Sequence, residues 1–147
     1  MTTAPIDILL VEDNDDDVVM IREAFDEAKL LNIVNVVKDG EEALAFLHAK
    51  PPYHDAQRPG LVLLDISMPK KNGFEVLQAL KADRALAAIP VVMLTTSTRE
   101  EDVLRSYQNG ACSYVSKPVD FVKLQKVVRY FSLYWTIVSE IPPAPKR

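Results

Sequence analysis

Short apolar runs along this chain end in residues that can do chemistry. Glu12 and Asp13 follow the first such run, and Asp65, Thr95 and Lys117 each follow a later one. In an open parallel sheet the carboxyl ends of the strands meet along one edge, where ligands bind. Three carboxylates gathered there repel one another, and a hard divalent cation relieves that repulsion. The spacing therefore predicts a site for Mg²⁺ and a phosphoryl group, with the hydroxyl and the ammonium available to phosphoryl oxygens.

The acids of this predicted site have distinct expected roles. Asp13 and Asp65 are candidate Mg²⁺ ligands, and Glu12 is expected to act directly or through a water molecule. An aspartate beside such a cation can attack a phosphoryl donor and become an acyl phosphate. Each residue alone has an ordinary alternative, because strand-end aspartates often form turns or caps and threonines often bond to nearby backbone. It is the combination of these residues, and no single one of them, that indicates this chemistry.

The composition is that of a globular protein and argues against several function classes. The 147 residues are 48% hydrophobic, which suffices for one domain with a proper core. A net charge of −4 offers no basic footprint for direct DNA binding. The single Cys112 excludes an internal disulfide and fits a reducing compartment. With no leader and no apolar run of roughly 20 residues, we expect a cytoplasmic protein without membrane contact.

Strand and helix patterns alternate along the chain. We predict strands over residues 6–11, 33–37, 61–64, 91–94 and 112–116. Helices are predicted over about 15–29 after an Asn14 cap, from Asp39, from Asn72, from Thr98 to near Gly110, and over about 120–138. Five βα units with near-continuous apolar strands favour a parallel sheet covered on both faces. The expected class is α/β, a flavodoxin-like doubly wound sheet of order 2-1-3-4-5 with an extended last helix.

Taken together, these motifs identify a family resemblance over roughly residues 5–130. The chain resembles the receiver domain of bacterial two-component response regulators. The motifs that carry the resemblance are Val11-Glu12-Asp13-Asn14, the run Leu63-Leu64-Asp65-Ile66-Ser67-Met68-Pro69 followed by Gly73, Leu94-Thr95-Thr96, Gly110-Ala111, and Tyr114-Val115-Ser116-Lys117-Pro118. We accordingly expect a receiver domain over residues 5–138 and a Pro-rich tail over 139–147.

The resemblance implies a defined set of roles. Asp65 matches the residue that accepts a phosphoryl group from a histidine on a sensor kinase. Asp13, Asp65 and the backbone carbonyl of Ser67 match the Mg²⁺ ligands, assisted by Glu12. Such a protein is a switched signalling module and not an enzyme acting on an external substrate.

Three further matches concern the phosphoryl group and the switch. Lys117 matches the essential ammonium, and Thr95 matches the hydroxyl that moves toward the phosphoryl group. Tyr114 matches the aromatic residue that turns inward as Thr95 moves. The bond from Lys117 to Pro118 resembles the cis peptide of this family, which X-Pro chemistry allows.

The last predicted helix is unusually rich in aromatic residues. Over residues 127–138, nine of twelve are apolar or aromatic, and they surround the helix where one stripe would suffice. One reading folds the helix end onto the loop over 50–60. The other is a symmetric homodimer through this helix and strand five, with Tyr130, Phe131, Tyr134, Trp135 and Val138 in the interface.

The long loop before strand three and the run Leu133-Tyr134-Trp135 also resemble regulators that partner bacterial phytochromes. That resemblance implies a phytochrome histidine kinase as partner. Only about nine residues follow the last helix, so we expect output through protein contact and not through a DNA-binding module.

Two other functions use related features. Phosphatases of the haloacid dehalogenase type carry a second acid two residues after the nucleophile, where this chain has Ser67. A constitutive binding scaffold on a receiver fold could lose the acids, Thr95 and Lys117, yet all are present.

Overall fold

The computed structural model describes residues 6–27, 29–66, 72–95, 105–111, 113–117 and 121–138. The strands are β1 (Ile8–Val11), β2 (Val34–Val37), β3 (Leu61–Asp65), β4 (Val91–Thr95) and β5 (Ser113–Ser116). The helices are α1 (Asp15–Glu27), α2 (Gly40–Leu47), α3 (Gly73–Ala82) and α5 (Phe121–Val138), and the described residues 105–108 belong to a further helix, α4. Among these residues no helix combines the length and apolar character needed to cross a membrane.

All described strand pairs are parallel, and the sheet order is β2-β1-β3-β4-β5, which confirms the predicted fold. The three central strands are buried throughout, as a sheet covered on both faces requires. Successive strand side chains alternate between two apolar clusters. Leu9 packs on the side of α2 and α3, whereas Ile8 and Leu10 pack on the side of α1 and α5.

Side-chain caps fix where the helices begin. Asn72 and Glu75 form a full capping box at the start of α3. The Asp39 side chain accepts the amide of Glu42 at 2.9 Å at the start of α2. Both predicted starts are confirmed, while the one predicted at Thr98 lies outside the described residues.

The end of α5 is anchored within the molecule. Leu124, Val128, Phe131 and Trp135 lie on one stripe of the helix and are buried beside β1, β3 and β4. The Trp135 indole Nε1 donates to the Gly60 carbonyl at 2.6 Å. A Cβ at Gly60 would come within 3.0 Å of the Trp135 ring, so glycine is what admits the indole.

This packing corrects part of the sequence prediction for α5. Phe131 and Trp135 were expected in a dimer interface, but their buried side chains serve the protein's own core. Tyr130 and Tyr134 are exposed, at 64% and 36%. The Val138 side chain lies outside the described residues.

Candidate functional site

The sheet register brings the predicted site residues to one edge. Asp65 and Thr95 are the last residues of β3 and β4, and Glu12 directly follows β1. Thr95 pairs in register with Ser116, and the Lys117 amide donates to the Thr95 carbonyl at 2.7 Å. Each side chain is therefore positioned by a strand end and not by a free loop.

Three acids form a compact cluster at this edge. One carboxylate oxygen from each of Glu12, Asp13 and Asp65 lies within 4.8 Å of the other two. Glu12 and Asp65 are buried, whereas Asp13 is exposed to solvent. The Asn14 amide donates to Glu12 Oε1 at 3.1 Å and orients that side chain. A set of carboxylate oxygens with one open side fits a small hard cation that keeps some of its waters.

Lys117 brings a nearly buried positive charge to this cluster. Its Nζ lies 2.7 Å from Glu12 Oε2, 2.9 Å from Asp17 Oδ2 and 3.5 Å from Asp65 Oδ1. Burial alone lowers the pKa of this ammonium, but hydrogen bonds to Glu12 and Asp17 and the charge of Asp65 outweigh it and raise the pKa to about 12. Lys117 is therefore a permanent cation at neutral pH, in contact with the proposed nucleophile.

Asp17 is a site residue that sequence reasoning missed. Like Asp15 and Asp16, it lies in the first turn of α1, where the helix dipole favours negative charge. The structure separates them, because Asp17 turns toward Lys117 while Asp16 is exposed. No sequence signal distinguishes Asp17 from its two neighbours, because all three aspartates suit the first turn of a helix.

A glycine allows the helix start to approach the end of β3. A Cβ at Gly73 would lie 2.4 Å from the Asp65 carbonyl oxygen and 2.8 Å from Ile66 Cα. The Gly73 amide donates to the Ile66 carbonyl at 2.8 Å. This close backbone packing fixes the segment that carries Asp65. Ser67, whose carbonyl was predicted as a metal ligand, lies outside the described residues.

The predicted switch residues lie on neighbouring strands. Thr95 is buried at the end of β4, and Tyr114 is half-buried in β5. The Tyr114 ring meets Tyr107 of α4 edge-on, with centroids 6.4 Å apart. Lys123 Nζ of α5 lies 4.4 Å from the Tyr114 centroid, a cation–π distance. Tyr114 thus joins α4 and α5 across the edge strand. The predicted cis bond to Pro118 lies outside the described residues, and the one described is Pro51–Pro52.

Comparison with known families accounts for this arrangement. Residues 8–129 match the model of the response regulator receiver domain. The chain belongs to the response regulator receiver family. The acidic pocket at the carboxyl edge fits the phosphorylation chemistry of that family, and the family resemblance seen in the motifs is confirmed.

Relatives of known structure sharpen the match. Response regulator Rcp1 of Synechocystis sp. is 37% identical over 137 residues, covering 93% of each chain. The structure of its Mn²⁺-bound form has 34% identity and a TM-score of 0.73, covering 97% of this chain and all of the other.

Two further structures are linked by name to phytochromes. The phosphorylated cyanobacterial phytochrome response regulator RcpA is 39% identical with a TM-score of 0.77, covering 95% of this chain and 99% of that one. The bacteriophytochrome response regulator AtBRR is 42% identical with a TM-score of 0.79, covering 90% and 96%. The chain is thus related to phytochrome-associated regulators, which confirms the narrower resemblance.

Proposed function

We propose that Asp65 accepts a phosphoryl group from a histidine of a partner kinase and that this phosphorylation switches a protein-binding surface. The observation that carries the proposal is a buried strand-end carboxylate with two further acids beside it and a lysine ammonium 3.5 Å away. The protein then catalyses its own phosphoryl transfer and dephosphorylation and has no external substrate. Residues 5–138 form the receiver domain in this proposal, and 139–147 are its tail.

The residues divide the chemistry among them. A carboxylate oxygen of Asp65 attacks the phosphorus of a phosphohistidine, and the P–N bond breaks. The histidine nitrogen leaves with that electron pair and takes up a proton, while Asp65 becomes an acyl phosphate. Lys117 binds a phosphoryl oxygen and neutralises its charge, and the Thr95 hydroxyl donates to another.

Mg²⁺ is the cation we propose for the acid cluster, held by Glu12, Asp13, Asp65 and the Ser67 carbonyl. It would supply positive charge where the phosphoryl oxygens gather. The oxygen-only donor set supports this choice, and a relative, Rcp1, is known with Mn²⁺ bound.

The switch is read through Thr95 and Tyr114. A Thr95 hydroxyl drawn toward the phosphoryl group vacates space beside β5, and the half-buried Tyr114 ring moves into it. That motion breaks the ring's contacts with Tyr107 and Lys123, so it alters the surface that α4, β5 and α5 share.

The phosphorylation proposal is tested with a small donor. Wild-type protein and the Asp65→Asn variant are incubated with acetyl phosphate, with and without Mg²⁺, and followed by intact mass. We expect a Mg²⁺-dependent, hydroxylamine-labile phosphate adduct on the wild type alone. Absence of that adduct, or an equal adduct on the variant, contradicts the proposal.

A phytochrome histidine kinase in the cytoplasm is the partner we propose. The similarity to phytochrome response regulators supports it. Phosphotransfer from a purified bacteriophytochrome kinase should depend on the light state of the kinase and vanish with Asp65→Asn. Transfer at the same rate from an unrelated histidine kinase would contradict the assignment.

A second copy of this chain is the other partner we propose. Tyr130, Leu133 and Tyr134 are exposed on α5, and β5 is an edge strand of the sheet. A groove of about 790 Å³ runs beside these rings to the segment before β4, lined there by Ala87 and Pro90. Exposed aromatic residues beside a groove are typical of an interface.

The dimer is tested by sedimentation of wild type and Tyr134→Ala. The variant should shift toward monomer, whereas Leu31→Ala, an exposed position near the opposite edge strand, should not. A monomeric wild type at high concentration, or equal behaviour of both variants, contradicts a dimer through α5.

A further inference from the structure

The Lys117 ammonium contacts three carboxylates, and one of them lies outside the acid cluster that suits a cation. In the described part of the chain Nζ contacts Glu12, Asp17 and Asp65. Glu12 and Asp65 also belong to the acid cluster that suits a cation, whereas Asp17 does not. Asp17 is therefore the partner of Lys117 that a bound cation leaves in place.

The distances from Nζ to the three carboxylates show which of them the ammonium approaches most closely. Nζ lies 2.7 Å from Glu12 and 2.9 Å from Asp17 but 3.5 Å from Asp65, so its contact with the phosphoacceptor is the longest of the three. An ammonium has three donors and turns them toward the nearest acceptors. Without the Asp17 carboxylate, the remaining acceptors are the two acids of the cluster. A lysine drawn onto those acids competes with a divalent cation for the same oxygens.

The start of α1 positions Asp17 for this contact. It lies in the first turn of α1, and its amide donates to the Asn14 side chain at 3.1 Å, the cap of that helix. The ion pair joins residues one hundred positions apart in sequence. It couples the start of α1 to the end of β5, on the side where α1 packs against α5.

We propose that Asp17 is a positioning residue that draws the Lys117 ammonium away from Asp65, so that the Asp65 carboxylate stays available to a divalent cation. This inference rests on the cation site of the proposed function and assigns Asp17 no contact with the cation. The charge of Lys117 is kept at the site, ready for a phosphoryl group, while its distance from the Asp65 carboxylate stays at 3.5 Å.

The test is a Mn²⁺ titration of the full chain, with free Mn²⁺ followed by electron paramagnetic resonance. Asp17→Asn should weaken Mn²⁺ binding about tenfold, the size of a coupling between contacting residues. Asp16→Asn removes the same charge from an exposed position in the same turn and should weaken binding less than about twofold, because exposed charges are screened. Asp17→Glu should keep most of the affinity.

A double-mutant cycle separates positioning from a direct charge effect. Lys117→Met alone should tighten Mn²⁺ binding, because it removes the competing ammonium. In that background Asp17→Asn should have no larger effect than Asp16→Asn. An undiminished Asp17→Asn effect there would overturn the inference, since Asp17 would then act on the cation directly.

The outcomes distinguish this inference from the proposed function. If the wild type binds Mn²⁺ and Asp17→Asn matches Asp16→Asn, the role of Asp17 is wrong and the cation site stands. If the wild type binds no Mn²⁺, the cation site is wrong and the inference falls with it. Circular dichroism and melting of each variant exclude a loss of fold as the cause.

Discussion

The fold buries polar groups at both ends of its parallel strands, the carboxyl edge and the amino edge of the sheet. The groups are charged at the carboxyl edge and neutral at the amino edge. At the carboxyl edge the buried acids Glu12 and Asp65 both contact the half-buried ammonium of Lys117. At the amino edge, just before β3, Trp135 places a neutral N–H on the Gly60 carbonyl and its ring in the apolar core. One arrangement is satisfied by the protein alone, and the other still carries excess negative charge.

This difference between the two edges indicates that one of them stabilises the fold and the other serves the function. Burial of an indole with its donor satisfied stabilises the fold under any ionic condition. A cluster of buried acids around one ammonium loses in desolvation much of what it gains in attraction. Such a cluster responds to a cation, to a phosphoryl group and to pH. We therefore expect the carboxyl edge to switch and the amino edge to hold the scaffold.

The largest effect is expected at the amino edge. Trp135→Ala should lower the free energy of unfolding by about 4 kcal/mol, because it leaves a cavity and an unpaired Gly60 carbonyl. Tyr134→Ala, beside it but exposed, should cost less than about 1 kcal/mol in monomer stability. Urea denaturation at low protein concentration measures both. Equal losses would show that the indole is not an anchor.

A smaller, conditional loss is expected at the carboxyl edge. Lys117→Met should lower the free energy of unfolding by about 3 kcal/mol in metal-free buffer, because it leaves buried acids without their cation. Saturating Mg²⁺ should recover most of this loss and none of the Trp135→Ala loss. Lys126→Met, an exposed lysine of α5, is the control. If Mg²⁺ did not recover the free energy of unfolding lost in Lys117→Met, the proposed difference between the two edges would be wrong.

The smallest effect is a pH dependence confined to the carboxyl edge. Folding raises the pKa of Lys117 from 10.5 to about 12, so its contribution is complete below pH 10.5 and disappears as the pH rises through 12. The stability gap between wild type and Lys117→Met should shrink by about 2 kcal/mol over that interval. The gap between wild type and Trp135→Ala should stay constant. If the stability difference between wild type and Lys117→Met did not change with pH over this interval, the ion pairing of Lys117 would be contradicted.

The carboxyl edge was the more predictable of the two from sequence. Strand ends of a parallel sheet share one edge, so Glu12, Asp65, Thr95 and Lys117 could be placed together from apolar runs alone. Asp17 could not, because three successive aspartates suit a helix start equally and only tertiary packing selects the one that meets Lys117.

The amino edge was predicted only as one of two alternatives, the helix end folded onto the loop over 50–60, and the Trp135–Gly60 contact agrees with that alternative. The abundance of aromatic residues on α5 obscured a regular stripe of Leu124, Val128, Phe131 and Trp135, whose helical spacing predicts a single buried face. The loop over 50–60 could be named as a partner of the helix end, but no spacing identifies the Gly60 carbonyl as the acceptor of the Trp135 indole.

The central claim is that Asp65 is the phosphoacceptor of this site. Protein treated with acetyl phosphate and Mg²⁺ is reduced with borohydride, which converts an aspartyl phosphate to homoserine, and its peptides are sequenced by mass spectrometry. We predict homoserine at position 65, with Asp13 and Asp17 unchanged. Homoserine at either of those aspartates in place of Asp65, or at no position, would contradict the account.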